Sequence, residues 1–254
     1  MISLPLIKYV LTAAFRDKLV LSLFLLVLVG ASLATFLGSS AVTESDQFTV
    51  VFASGGLRIA AILGLVMFIV FHMRRSFETK DVDYLLTRPI SRISFLLSHA
   101  IAFSLLAIMF AVFVSAAVYF LGGATIESGF YIWSFSLMIE FMIMANAALF
   151  FAMVLPNAAA SAMAVFALYL LSRLIGQLLG IVETGLDLPG FIYLSYLMQF
   201  ISLVIPRLDL MAQTSWLIYG PSENIGYLFI ALQGLVYSAL LVTASLVDLV
   251  KRQF

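Results

Sequence analysis

Residues 19–37 read LVLSLFLLVLVGASLATFL, a run without a single charged side chain. A helix of about 20 such residues is long enough to cross the hydrocarbon core of a bilayer. The run belongs to a chain of 254 residues that is 64% hydrophobic and only 10% charged. Soluble domains are about half apolar and about a quarter charged. The sequence therefore predicts a polytopic membrane protein.

Five more apolar runs follow the first one along the chain. The six predicted spans are residues 19–37, 56–73, 93–121, 130–155, 158–182 and 227–250. Lipid offers no hydrogen-bond partners to an exposed backbone, so each run is expected to be a helix that satisfies its own polar groups. The predicted fold is all-α, with residues 1–254 forming one transmembrane domain.

The basic residues between the spans predict the orientation of the chain. With the N-terminus inside, ten of them lie on the cytoplasmic side: Lys8, Arg16, Lys18, Arg74, Arg75, Lys80, Arg88, Arg92, Lys251 and Arg252. Only Arg58, at the outer edge of the second span, and Arg207 fall on the outer side. Lys and Arg in short loops favour the cytoplasm. We therefore expect both termini to be cytoplasmic.

Two apolar segments are not expected to cross the membrane. Residues 3–18 place apolar side chains at helical spacing with cations on another face, which predicts an amphipathic helix lying in the cytoplasmic interface. The alternative is a simple extension of the first span. The long segment 183–226 contains an apolar stretch, residues 189–205, that ends before Pro206. A seventh span there would put the basic C-terminus outside, so we expect a pair of re-entrant or interfacial helices on the outer face.

Most catalytic chemistry is missing from the sequence. There are no cysteines, no Gly-x-x-x-x-Gly-Lys-Ser/Thr loop, no Gly-x-Ser-x-Gly elbow and no His-Glu-x-x-His pair. His72 and His99 lie near the cytoplasmic ends of neighbouring spans, and contact with headgroups or the loop is favoured over ligation of a haem. The net charge of zero gives no basic field for nucleic acid. We expect no enzyme activity, catalytic residue, metal site or cofactor in this chain.

Two charged residues lie deep inside predicted spans. Glu140 is 16 residues before Pro156 and Arg173 is 17 residues after it, on the two helices that this tight turn joins. At about 1.5 Å per residue, both stand about 25 Å from the turn. An unpaired charge at such a depth costs at least about 2.5 kcal/mol. We favour an ion pair that pins the hairpin; the alternatives are a pair that lines a substrate path, or an Arg173 that reaches outer phosphates beside a protonated Glu140.

Small residues recur at four-residue spacing on two of the spans. They are Gly30, Ala34 and Gly38 on the first span and Ser172, Gly176 and Gly180 on the fifth. Such spacing allows helices to approach closely. Both packing within one chain and an interface with a second subunit fit this pattern.

The largest predicted cytoplasmic loop, residues 74–92, reads RRSFETKDVDYLLTRPISR. Phe77, Val82, Leu85 and Leu86 form the apolar stripe of a short amphipathic helix that Pro89 ends. Its charged face is able to dock a soluble partner. The alternative, which composition alone favours, is a solvated connector whose cations only fix the topology.

This loop resembles the one between the second and third helices of type-two ABC exporter permeases. In that family an acidic residue precedes a helix ending in Leu-Leu-x-x-Pro-Ile/Val-Ser-Arg, and Glu78 and residues 85–92 match this pattern. The order of the amphipathic helix, six spans, long outer segment and short basic tail is also similar. Lys80-Asp81 and Ser98-His99 stand where the family usually has Gly-Thr and Gly-Lys.

The resemblance implies that the loop is a coupling helix gripped by a separate ATPase subunit. The residues implied in coupling are Glu78, Asp81, Asp83, Leu85, Leu86, Arg88, Pro89 and Arg92. The implied partners are two copies of a soluble ABC ATPase, which bind ATP and Mg²⁺, a second copy or paralogue of the permease, and membrane lipids. The implied location is a bacterial inner membrane. The rival interpretations are a non-transport anchor or assembly subunit of a larger complex and, less favoured, a secondary transporter.

Overall fold

A computed structural model describes residues 3–40, 44–78, 91–122, 129–183, 191–221 and 225–251. For residues 181–183 and 191–195 it describes the backbone alone. The helices are α1 (Leu4–Arg16), α2 (Leu19–Ser39), α3 (Ser45–Glu78), α4 (Arg92–Gly122), α5 (Gly129–Val154), α6 (Ala158–Glu183), α7 (Phe191–Val204), α8 (Trp216–Tyr219) and α9 (Tyr227–Lys251), with a 3₁₀ turn at Leu208–Leu210.

Six of these helices, α2 to α6 and α9, are long and apolar enough to cross a membrane. Each of them matches one of the six predicted spans, five of which lie wholly within their helix, while the span 130–155 extends one residue beyond the end of α5. Across the described residues the all-helical fold predicted from the sequence is therefore confirmed, and the six long apolar helices fit a multi-pass membrane protein.

The second of these helices is much longer than the sequence predicted. We expected a span at 56–73, whereas α3 is a single helix of 34 residues from Ser45 to Glu78. Its first three turns bury a stripe at helical spacing that includes Thr49, Val50 and Ala53. This stripe packs against the rest of the bundle, which extends the helix beyond its most apolar part. Arg58, which we had placed at the outer edge of this span, consequently lies 13 residues inside α3.

Helix α5 lies at the centre of the bundle. It contacts α3, α4, α6 and α9. Its side chains Trp133, Leu137, Phe141 and Met144 are completely buried. Helices α2 and α9 bury few of their residues, and about half of the residues in each are exposed. Exposed apolar faces of this kind are what a lipid environment accommodates.

Contacts at one end of the bundle join α1, α4 and α9. The backbone N–H of Ser3 donates to Oγ of Ser98 on α4 at 2.9 Å. Nη1 of Arg92, the first residue of α4, lies 3.3 Å from the carbonyl oxygens of both Leu249 and Val250 near the end of α9. The start of the chain, the end of α9 and the segment that enters α4 thus lie together.

The segment between α6 and α9 contains a helix too short to be a span. Helix α7 has 14 residues, or about 21 Å at 1.5 Å per residue, against about 30 Å for the hydrocarbon core. The hydroxyl of Tyr237 on α9 contacts the carbonyl oxygens of Leu203 and Ile205 at 3.0 and 2.9 Å. The end of α7 is thereby held against α9, and its proposed re-entrant placement stays a prediction.

The contact of α8 with the start of α5 gives a stability prediction. A Cβ atom on Gly129 would meet the carbonyl group of Trp216, whereas one on Gly64 of α3 would meet no atom within 4 Å. Because a backbone carbonyl cannot move aside cheaply, Gly129→Ala should lower the free energy of unfolding by about 2 kcal/mol. Gly64→Ala should be neutral or stabilising, since alanine favours a helix. Unfolding titrations in mixed micelles measure both variants, and equal stability of the two would contradict the described packing.

Candidate functional site

The deep ion pair is built by the hairpin of α5 and α6. Helix α5 ends at Val154 and α6 begins at Ala158. Oδ1 of Asn157 accepts the backbone N–H of Ala160 at 2.7 Å, which caps the start of α6. Oγ of Ser161 reaches back to the carbonyl oxygen of Phe151 at 3.0 Å. This tight turn keeps the two helices in register.

Glu140 and Arg173 meet across this hairpin, at the depth where their distances from Pro156 place them. Nη2 of Arg173 donates to Oε1 and Oε2 of Glu140 at 2.9 and 2.8 Å. The Glu140 side chain is completely buried and that of Arg173 is 15% exposed. A buried pair stabilises a fold only when further hydrogen bonds satisfy its remaining groups.

The second terminal nitrogen of Arg173 holds the chain between α7 and α8. Its Nη1 donates to the carbonyl oxygens of Leu208 and Met211 at 2.7 and 2.8 Å. These carbonyls belong to the 3₁₀ turn and its end, where no α-helix supplies partners. The guanidinium therefore joins three elements: α5, α6 and the segment that follows α7.

Arg58 adds a second cation to this cluster. Its Nη1 donates to the carbonyl oxygen of Ala212, and it interacts electrostatically with Glu140, Arg173 and Tyr169. The Tyr169 ring lies 6.0 Å from Cζ of Arg173. One buried carboxylate thus faces two guanidinium groups. We call Arg58, Glu140, Tyr169 and Arg173 the charge cluster.

Ala212 is the point at which the segment between α7 and α8 joins the charge cluster. Its backbone has a φ of 43°, a left-handed value that costs a non-glycine residue about 1–2 kcal/mol. Its N–H donates to Oγ of Ser136 on α5 at 2.8 Å, and its carbonyl accepts from Arg58. The hydrogen bonds of both backbone groups offset that cost.

A second ion pair, in the segment after α7, packs against α6 about one turn beyond Arg173. Nε and Nη2 of Arg207 donate to Oδ1 and Oδ2 of Asp209 at 2.9 and 2.8 Å. The Asp209 carboxylate lies directly against Gly176, where a Cβ atom would collide with it. Gly176 thus gives room for the segment that Arg173 binds.

The small residues singled out in the sequence mostly contact their own chain. Gly30 and Gly38 of α2 lie against Leu57 and Thr49 of α3, and Gly176 lies against Asp209. Ala34 and Ser172 are completely buried, whereas Gly180 has open space beside it. Packing within one chain therefore explains the first set and Gly176. A subunit contact at these positions stays a prediction.

Of the eight residues implied in coupling, the structure describes two. Glu78 is the exposed last residue of α3, and Arg92 is the first residue of α4. Oγ of Ser91 accepts the N–H of Ser94 at 3.1 Å and caps α4. Asp81, Asp83, Leu85, Leu86, Arg88 and Pro89 lie outside the described residues, as does any helix formed there.

The two histidines lie on neighbouring helices among phenyl rings. The ring centroids of His72 and Phe68 are 5.4 Å apart. The ring centroid of Phe103 lies 6.0 Å from that of His72 and 5.9 Å from that of His99. Nδ1 of His99 is 2.9 Å from the carbonyl oxygen of Phe95. These contacts describe packed aromatic side chains near the start of α4.

The sequence did not indicate that Arg58 and Tyr169 belong to the charge cluster, or that its two arginines bind the carbonyl groups of Leu208, Met211 and Ala212. Arg58 stood at the edge of an apolar run, where a basic residue ordinarily marks a loop. A signal was present in the stripe that continues N-terminal to it, because helical spacing of Thr49, Val50 and Ala53 places Arg58 within the same helix.

No protein-family model matches this chain, and no curated protein matches it.

Proposed function

We propose that the chain is the membrane-spanning subunit of an ABC exporter. Two such chains, or one with a paralogue, would move substrate across a bacterial inner membrane by alternating access. Two copies of a separate ATPase would supply the work of ATP hydrolysis. The chain itself would have no enzymatic role.

The observation that carries the proposal is the sequence of the loop between α3 and α4. Glu78 followed by the Leu-Leu-x-x-Pro-Ile-Ser-Arg motif at residues 85–92 resembles the coupling helix of type-two ABC exporter permeases. A membrane protein that works by ATP but has no phosphate-binding loop needs a rigid element on which a partner can act.

The ends of this loop support the proposal, because both are attached to the bundle. Before the loop, α3 is continuous from the fully buried Met73 to Glu78. After it, Ser91 caps α4 and Arg92 contacts the last turn of α9. A displacement of the loop by a partner would therefore also displace α3, α4 and α9.

Helix α3 also offers a path from the loop to the charge cluster. Arg58 and Glu78 lie on the same helix, separated by 20 residues or about 30 Å. In the proposed cycle, ATPase closure shifts α3 and withdraws Arg58 from the carbonyl of Ala212. The segment between α7 and α8, which we place on the outer side, would then be released to open the exit.

Isolation of the native complex tests this proposal. The tagged chain, extracted from its host membrane in mild detergent, should co-purify with an ABC-type ATPase at a ratio of about one to one. The complex should hydrolyse ATP, and vanadate should inhibit it. Stable isolation without an ATPase, in a larger assembly of other subunits, would instead support an anchor or assembly role.

A further inference from the structure

A polar cavity of about 450 Å³ opens between α1 and α3, beside the turn that joins α1 to α2. Its lining consists of Tyr9, Thr12, Ala13, Arg16, Asp17, His72, Arg75 and Ser76. This volume lies in the range of small-molecule sites in proteins. The cavity is separate from the charge cluster and from the residues implied in coupling.

The side chains of this cavity have the chemistry of a phosphate site. Arg16 and Arg75 present two guanidinium groups, which bind phosphate oxygens through paired, charge-assisted hydrogen bonds. The hydroxyls of Thr12 and Ser76 donate to carbonyls of their own helices at 2.7 and 2.9 Å. Their oxygen atoms therefore remain available as acceptors, as does the carboxylate of Asp17.

An apolar stripe runs from the cavity along the outside of α3. Leu63, Met67 and Phe71 are spaced four residues apart and are 42%, 40% and 53% exposed. Arg75 continues the same spacing at the cavity wall. Residues four apart lie on one helix face, so a single straight chain could lie on the apolar residues while its head reaches Arg75.

The exposed side of α1 is suited to the boundary between headgroups and acyl chains. Leu4 and Phe15 are 75% and 58% exposed, and Lys8 and Arg16 on the same helix are also exposed. The opposite face is buried through Leu6, Val10 and Ala14. Apolar and basic side chains exposed side by side are typical of interfacial helices.

We propose that the cavity binds the head group of an anionic glycerophospholipid with free head-group hydroxyls, of which phosphatidylglycerol is the model. The phosphate lies between Arg16 and Arg75. The glycerol hydroxyls donate to Asp17 and to the oxygens of Thr12 and Ser76, and one acyl chain lies on Leu63, Met67 and Phe71. Basic pockets beside membrane helices bind phospholipid head groups in this manner. The proposal is independent of the exporter assignment.

Native mass spectrometry of the purified full chain tests this site. Dioleoylphosphatidylglycerol should bind saturably, and dioleoylphosphatidylcholine at least about tenfold more weakly. Arg16→Gln should weaken phosphatidylglycerol binding by about tenfold, the equivalent of one charge-assisted contact. The matched control is Lys8→Gln, which removes a cation from the same helix but not from the cavity, and its affinity should stay within about twofold of the native value.

Three results would overturn the proposal. The first is equal loss of affinity in Arg16→Gln and Lys8→Gln, and the second is equal binding of the two lipids. The third is displacement of phosphatidylglycerol by inorganic phosphate at millimolar concentration, which would assign the cavity to a soluble anion. If Arg16→Gln lowers the Tm measured without lipid, Arg16→Lys serves as the second variant because it keeps the charge. It should recover both the Tm and most of the lipid affinity.

Discussion

Replacing Glu140 by glutamine should destabilise the protein by about 3 kcal/mol, the loss typical when one partner of a buried ion pair is removed. The expected loss is large because Glu140 is the anion facing both Arg173 and Arg58. Arg173→Met should cost less, since Arg58 then remains near the carboxylate. Unfolding titrations in mixed micelles measure these differences. Asp46→Asn, which removes an exposed carboxylate from the start of α3, should change stability by less than about 0.5 kcal/mol.

The double variant tests whether the two charges act as a pair. If only the contact across the hairpin is considered, the double variant Glu140→Gln, Arg173→Met should be destabilised less than either single variant. The structure alters this expectation, because Arg173 also binds the carbonyls of Leu208 and Met211. Those contacts stay lost in the double variant. Its loss should therefore be about 2 kcal/mol smaller than the sum of the two single losses but no smaller than that of Arg173→Met. Strictly additive losses would argue against the pair.

If the chain is an exporter subunit as proposed, reversing the charge at the start of the loop should strongly reduce ATP-driven transport. Glu78→Lys replaces the acid that the proposed ATPase contacts by a cation. A partner surface that suits an acid would then face a like charge, which costs several kcal/mol. Pro89→Ala removes the residue that ends the predicted loop helix. Each change should reduce transport by at least about tenfold, because the ATPase cycle no longer moves α3. Transport into inverted vesicles, measured together with ATP hydrolysis, separates loss of coupling from loss of the ATPase.

The control for this experiment lies at the other end of the same helix. Glu44 is an exposed acid just before α3, and Glu44→Lys makes the same change of charge far from the loop. It should transport at close to the native rate. Native transport by Glu78→Lys and Pro89→Ala would remove the coupling role from the loop, and an equal loss in Glu44→Lys would show an effect of charge alone.

The sequence was sufficient for those features that depend on local pattern. Apolar runs of about 20 residues or more located the six long helices of the described part of the chain, and the position of Pro156 placed Glu140 and Arg173 at one depth. It was insufficient where tertiary packing decides. The start of α3 is moderately polar, and only burial of Thr49 and Val50 explains why the helix begins there.

The partners of Arg173 beyond Glu140 show the same limit. The hydrogen bonds to Leu208 and Met211 use backbone carbonyls, which no side-chain pattern reveals. They exist because the segment after α7 folds back onto α5 and α6, where Ala212 is bound by Ser136 and Arg58. Such a fold-back depends on long-range contacts between residues that are far apart in sequence.

Site-specific cross-linking in intact membranes tests the coupling proposal most directly. A photoreactive amino acid at Leu85, within the loop motif, should form a covalent product with an ABC-type ATPase. The same probe at Phe120, which is 83% exposed near the end of α4, should form none. The product at Leu85 should change in yield when ATP is trapped with vanadate. Reaction of the Leu85 probe with lipid or water only, with and without nucleotide in the native membrane, would contradict the proposal.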